Sequence, residues 1–265
     1  MDRSVSHTSS IDHGCCTIKN FTDVEMVKKV NEDVRPYLET DKRGETSRCT
    51  NLVRRSQTVQ ETWIVDPLVR KLTGYVVDKT TSNFYGKSKH AYMSEAICSI
   101  VMTFDVGSSI KVQWLHRDDK NFHVDQEDQT ATGYRRRSDT TFEGGAATAV
   151  PDSHRWRLGR APRTSEERVA EMEVTHYCVM LGDLHYAGSA NITESEQRIL
   201  HGFFLTRGFY RGEENIYLAN SDEDALSWSP GVQKILFVNF KAPLWHLRDE
   251  QLDKVGDFDL LQEAN

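Results

Sequence analysis

The feature that most constrains this chain is a change of texture along its length. The first eighty or so residues carry apolar positions at helical spacing. From about residue 84 onward the apolar residues fall into short β-branched runs separated by Gly-, Asp- and Ser-rich turns. In residues 21–40, Val24, Val27, Val30, Val34 and Leu38 recur at helical spacing, with Thr22 or Asp23 as N-cap. Residues 41–60 are polar and without period, which predicts a loop. Trp63–Val77 predicts a second helix starting near Pro67 and ending around Gly74. Strands are then predicted over Ala96–Gly107, Ser109–His116, Thr175–Gly188, Arg198–Tyr210 and Val232–Phe240. Helices first and strands afterwards predict one all-β sandwich or barrel with flanking helices.

Composition narrows the function classes. The 265 residues are 38% hydrophobic and 28% charged, with a net charge of −7, so an ordinary soluble globular chain is expected. An acidic protein of pI about 5.8 is not built to hold nucleic acid or an anionic membrane. The basic run Arg135-Arg136-Arg137 predicts a solvated loop. The cysteines, Cys15, Cys16, Cys49, Cys98 and Cys178, are odd in number and lack zinc-ligand spacing. They predict a reduced, intracellular and cytoplasmic protein. Residues 1–17 lack the apolar core of a secretory signal and are expected to be disordered. A single domain spanning 1–265 is expected.

The sharpest chemical pattern is Gln113-Trp114-Leu115-His116-Arg117-Asp118-Asp119. His116 and Asp118 stand two apart, so on a strand they share a face. An imidazole and a carboxylate so placed can take adjacent positions on a metal. A distant second histidine would complete the two-histidine, one-carboxylate triad of non-haem iron(II) oxygenases.

Several ordered segments carry a resemblance. They are Leu115–His123, Gly145–Trp156 (GAATAVPDSHRW), Gly182–Thr193 (GDLHYAGSANIT), Arg198–Ala219 and Ser229–Leu236. Together they resemble the phytanoyl-CoA dioxygenase family, and within it the fungal branch that oxidises secondary metabolites such as meroterpenoids. The resemblance implies a double-stranded β-helix, a cupin-like jelly roll, with an Fe(II) and 2-oxoglutarate site and a hydrophobic small-molecule substrate. It implies His116 and Asp118 as iron ligands and a histidine in the Gly182–Thr193 segment as the third. It places Arg198 on the distal carboxylate of 2-oxoglutarate, where a planar guanidinium suits a bidentate contact, and Gln113 near the co-substrate. It also implies a C-terminal helix over Ser229–Leu236.

The family segment reads Gly-Ser-x-x-His-x-Gly-Gly-x-Asn-x-Thr. Counting forward from Gly182 or back from Asn191 puts the third ligand at position 186, which is Tyr186; the histidine is its neighbour, His185. Adjacent strand residues face opposite ways, so only a β-bulge would bring His185 to the metal. Ala147 stands where the family has a co-substrate threonine, and Thr148 is one place off. The polar stretch between His123 and Glu143 replaces an apolar core strand and predicts an opened side or a disordered loop. His123, His154, His176 and His201 are the other candidate donors. These departures argue against iron and 2-oxoglutarate binding by this chain alone. The expected role is a catalytically impaired companion of an intact homologous dioxygenase in a heterodimer, with a homodimer as the other arrangement. The alternative is a self-sufficient dioxygenase that hydroxylates, desaturates or rearranges a terpenoid.

Overall fold

A computed structural model describes residues 11–38, 46–108, 110–123, 131–136, 141–157 and 159–236. After a 3-10 turn (Ile11–His13) come β1 (Cys15–Ile18), α1 (Val24–Leu38), β2 (Thr46–Cys49), α2 (Leu52–Arg55) and a π-helical turn (Val59–Trp63). They are followed by α3 (Pro67–Val77), β3 (Lys79–Tyr85), β4 (Ser88–Ser94), β5 (Ala96–Val106), β6 (Ala131–Arg136), β7 (Thr148–Ala149) and β8 (Arg168–Val169). The rest of the described chain holds β9 (Tyr177–Leu181), β10 (Tyr186–Ala187), β11 (Arg198–Arg207), α4 (Ile216–Ala219), α5 (Asp222–Ser227) and α6 (Pro230–Leu236).

The strands form a large sheet in the order β1-β9-β6-β11-β5-β2 and a small one in the order β10-β7-β8, while β3 and β4 pair only with each other. Neighbours in these sheets are antiparallel. Two sheets of this kind, with helices against the outside of the larger one, are the layers of a jelly roll.

Strand alternation divides the large sheet's two faces. Val101, Tyr177 and Phe203 point to the helical side and pack with Val30, Val34, Leu52, Trp63 and Ile235. Burial of each such side chain stabilises the fold by about 1.5–3 kcal/mol. Met102, Met180, Leu200 and Phe204 point the other way and wall a cavity. β5 is therefore covered on both faces, which explains its nearly unbroken apolar sequence. α1 begins where the Asp23 carboxylate accepts from Met26 N at 2.7 Å, and it buries Val27, Val30, Asn31, Val34 and Leu38. α3 is capped by Asp66, which accepts from Leu68 N at 2.9 Å, with Pro67 at the first helical position.

Six expectations are corrected. Residues 41–60 are not simply a loop: β2 extends the sheet, and α2 buries Leu52 and Val53. Arg135 and Arg136 lie in β6, whose backbone pairs with both β9 and β11; Arg137 lies outside the described residues. The expected opened side is thus spanned by a strand held through backbone hydrogen bonds, which do not depend on an apolar sequence. Residues 110–115 alternate like a strand but form none, because Val112 and Trp114 are exposed and have no sheet to pack on; Ser109 lies outside the described residues. Residues 230–236 are helical rather than extended, with Pro230 leading and Ser229 Oγ accepting from Val232 N at 3.4 Å; residues 237–240 lie outside the described set. Of residues 1–17, 1–10 are outside it, and Cys15–Ile18 pair with β9. The β3–β4 hairpin, turning at Gly86 (φ 61°), was not anticipated.

A buried polar cluster sits inside the helical layer. His201, fully buried, is held between Thr103 Oγ1 (2.8 Å from Nδ1) and Asn31 Oδ1 (3.0 Å from Nε2). An amide oxygen only accepts, so Nε2 carries the proton and Nδ1 accepts from the threonine hydroxyl. Replacing Asn31 with Ala removes the acceptor from that buried N–H. The expected loss in urea-unfolding free energy is about 1–3 kcal/mol; an unchanged midpoint would refute this bonding.

Candidate functional site

The cavity between the two sheets has a volume of about 310 Å³ and is lined by His116, Asp118, Tyr186, Gln113 and Arg198 among apolar side chains. A single antiparallel bridge builds its polar wall. His116 N donates to Tyr186 O at 3.0 Å, and Tyr186 N donates to His116 O at 2.9 Å. Gln113 N donates to Gly188 O at 2.9 Å on one side of this bridge, and Asp118 N donates to Gly182 O at 2.9 Å on the other. Residues directly opposite in a bridge share a face, so the His116 and Tyr186 rings lie 4.6 Å apart, centroid to centroid.

Asp118 joins them on that face. Tyr186 OH donates to Asp118 Oδ1 at 2.9 Å, and His116 Nε2 lies 4.0 Å from the same oxygen. His116 Nδ1 is 2.8 Å from the Trp114 carbonyl, which only accepts; Nδ1 is therefore protonated and Nε2 carries the lone pair.

His185 faces the other way. Its ring lies 5.8 Å from that of Trp156, its backbone N–H donates to Ser153 Oγ at 2.8 Å, and its Nδ1 is buried without a hydrogen bond. Burial, then the Arg117 and His116 charges, push its pKa down, with Asp119 opposing. The pairing of Tyr186 with Ala149 and Ala187 with Thr148 runs without a register shift, so no bulge re-aims it. His185 thus points away from His116 and Asp118, against the expectation that it would be the third ligand, and Tyr186 faces them instead.

Arg198 opens β11 beneath the cavity, 8% exposed, with Nε unpaired. Burial pulls its pKa down to about 10, which leaves it cationic at neutral pH. Gln113 Oε1 accepts from Gly188 N at 2.9 Å. A Cβ on Gly188 would sit 2.9 Å from that oxygen and 3.6 Å from an Arg198 nitrogen, so a side chain there would push the Gln113 amide aside. Ala147 lines the cavity, and Thr148 does not. The remaining histidines are elsewhere. His123 is exposed in a left-handed turn, His154 is buried beside Gly14, His176 lies 3.6 Å from Glu173, and His201 is in the helical layer.

Donor chemistry tests whether an iron(II) centre fits. His116 and Asp118 supply two ligands. The third position offers a phenol, whose proton is committed to the carboxylate and whose reference pKa is about 10. Among the described residues no group of three His, Cys, Asp or Glu side chains is placed to hold a metal ion. The residues do not fit a two-histidine, one-carboxylate centre.

Sequence reading missed Asp183. It is 1% exposed, and neither carboxylate oxygen has a hydrogen bond. Burial pushes its pKa up to about 7, with Arg117 opposing and Asp119 adding. Arg117 is paired with Asp119 (Nε to Oδ1 3.0 Å), so its charge offsets the burial of Asp183 only in part. Its position beside a glycine turn gave no hint of burial.

The family model for phytanoyl-CoA dioxygenase matches residues 11–199. The dioxygenase swnH1 of Arthroderma benhamiae is 30% identical over 245 residues, covering 84% of this chain and 78% of its own. The dioxygenase peniF of Penicillium patulum is 25% identical over 249 residues, covering 88% and 81%. Among solved structures, the non-haem α-ketoglutarate-dependent epimerase SnoN from nogalamycin biosynthesis superposes with a TM-score of 0.56 at 15% identity, over 80% of this chain and 86% of its own. HygX from Streptomyces hygroscopicus, with nickel and 2-oxoglutarate bound, gives 0.57 at 14% identity, over 76% and 86%. At such identities the structural likeness carries the fold alone. No described helix is long and apolar enough to cross a membrane.

Two outcomes are expected. Asp183 has a folded pKa raised to about 7 against about 3.9 unfolded, so the folded state binds the extra proton between those values. Stability from this group is present at low pH and lost as pH rises from about 4 to about 7. Asp183→Asn should therefore unfold later than the parent at pH 8, by about 1–3 kcal/mol, with the gap closing near pH 4; equal gaps at both pH values would refute it. Tyr186→His replaces the phenol with an imidazole and should bind Co(II) on the order of 100-fold more tightly than the parent, about 2.8 kcal/mol, by calorimetry. Equal affinity would show that position 186 is not what keeps the metal out.

Proposed function

The chain belongs to the phytanoyl-CoA dioxygenase family, and from that premise we propose that it is a catalytically impaired companion subunit of an intact homologous Fe(II)/2-oxoglutarate dioxygenase. The pair would oxidise a terpenoid of the meroterpenoid type in fungal secondary metabolism. The observation that carries this reading is the Tyr186–Asp118 hydrogen bond, which supports a phenol standing in for the second imidazole of the centre. A chain that keeps the jelly roll and its cavity while lacking a third donor retains binding and shape without the metal's chemistry. Matches to fungal dioxygenases over most of the chain support the setting.

Within this reading the remaining pocket groups act by binding. The Arg198 guanidinium attracts a carboxylate, and the Met102, Met180, Leu200 and Phe204 wall accepts apolar surface. Arg198 also favours the second reading, a self-sufficient dioxygenase. A buried cation is costly to maintain, and one with an unpaired Nε beside His116 and Asp118 suits an anionic co-substrate.

Metal analysis and a succinate assay on the purified chain separate the two. The expected result is iron well below one equivalent and no succinate from 2-oxoglutarate. Co-expressed with an intact homologue, the chain should co-elute and raise its activity. One equivalent of iron with succinate formation would establish the second reading. Separate elution, with the homologue fully active alone, would end the companion reading.

A further inference from the structure

Arg198 is a cation that the fold buries without a counter-charge. Burial alone pulls its pKa down, so among the described residues no carboxylate offsets it. Its Nε has no hydrogen bond, yet its side chain lines the cavity. Holding such a group out of water is costly unless an anion meets it. Gln113 can join it there. The Gln113 oxygen is occupied by Gly188 N, which leaves its amide N–H groups to donate, and both side chains close on Gly188.

The surface next to this anion seat is apolar and rich in sulfur. Leu200 and Phe204 follow Arg198 at even spacing in β11, on the same face, and Gly202 leaves the floor bare between them. Met102 stands opposite Gly202 in β5. Cys178 and Met180 reach the cavity from β9, where Met172 packs against them. Thioether chains are unbranched and polarizable, so such a wall fits flat rings and flexible chains alike. At roughly 30 Å³ for each water-sized group, the cavity of about 310 Å³ holds on the order of ten such groups.

A second carboxylate on the same ligand finds no comparable seat. On the sulfur wall it would be desolvated without a donor. Beside His116 and Asp118 it would meet a lone pair and a like charge, because the single Tyr186 hydroxyl proton is directed at Asp118. Arg48 and Lys111 also line the cavity, but both are exposed, and ion pairs in water gain little.

We propose that the cavity takes a compact apolar monocarboxylic acid, with its carboxylate on Arg198 and Gln113 and its hydrocarbon on the methionine-lined wall, and that it discriminates against the dicarboxylate 2-oxoglutarate. This rests on the companion reading, since a bound metal ion would reward a second carboxylate.

Thermal melting and calorimetry of the full chain test it with octanoate, phenylacetate and 2-oxoglutarate, which match in their count of non-hydrogen atoms. Octanamide has the same count and no charge. Octanoate and phenylacetate should raise the melting temperature and bind about tenfold or more tightly than 2-oxoglutarate. Octanoate should bind on the order of 100-fold more tightly than octanamide, and Arg198→Met should erase that preference. The octanoate and octanamide comparison needs no variant, so it holds even where Arg198→Met folds poorly. Equal binding of octanoate and octanamide, tighter binding of 2-oxoglutarate alone, or a preference that survives in Arg198→Met would each overturn the proposal. Adding Co(II) together with 2-oxoglutarate separates the two readings. Joint stabilisation of the parent by that pair would overturn the companion reading and this proposal with it. Failure of both monocarboxylates, with Co(II) and 2-oxoglutarate also without effect, would overturn this proposal alone.

Discussion

Two backbone hydrogen bonds between His116 and Tyr186 decide what this cavity can do. They set the register of the extended 110–118 segment against β10, and register in antiparallel pairing determines which side chains face inward. With His116 opposite Tyr186, the phenol enters the cavity and His185 is turned toward Trp156. A slip of one residue would reverse both. The flanking bonds, from Gln113 to Gly188 and from Asp118 to Gly182, leave no slack for such a slip.

Asp118 links this register to the chemistry. A carboxylate facing an apolar cavity needs a donor, because a buried anion without one is costly. A metal ion would meet that need in an intact member of the family; here the Tyr186 hydroxyl does, at 2.9 Å. The phenol at position 186 therefore satisfies the carboxylate that faces it. Asp183 shows the opposite outcome: a carboxyl that is buried, left without a donor and so shifted toward its neutral form.

Much of this was legible in the sequence, and the limits have physical causes. Helical spacing found α1 and α3, and β-branched runs found β5, β9 and β11, because burial of a periodic face leaves a periodic trace. Counting from Gly182 and Asn191 found Tyr186, because spacing in a ladder is conserved geometry. β6 was hidden because its hydrogen bonds come from the backbone and ask little of its side chains. Residues 110–115 misled because alternation there reflects an exposed edge, with Trp114 almost wholly in solvent. Asp183 and the Tyr186–Asp118 contact were invisible because they join residues through space.

β5 and β11 serve as the floor of the helical core on one face and the wall of the cavity on the other. Whatever settles against Met102, Leu200 and Phe204 therefore braces strands whose reverse side holds Val101 and Phe203 in the core. Occupancy and folding are coupled equilibria in such an architecture: a ligand at 100 times its dissociation constant adds about 2.7 kcal/mol to stability. The melting temperature of the protein is thus a gauge of the cavity, able to report a natural ligand before its chemistry is known and without any reaction having to occur.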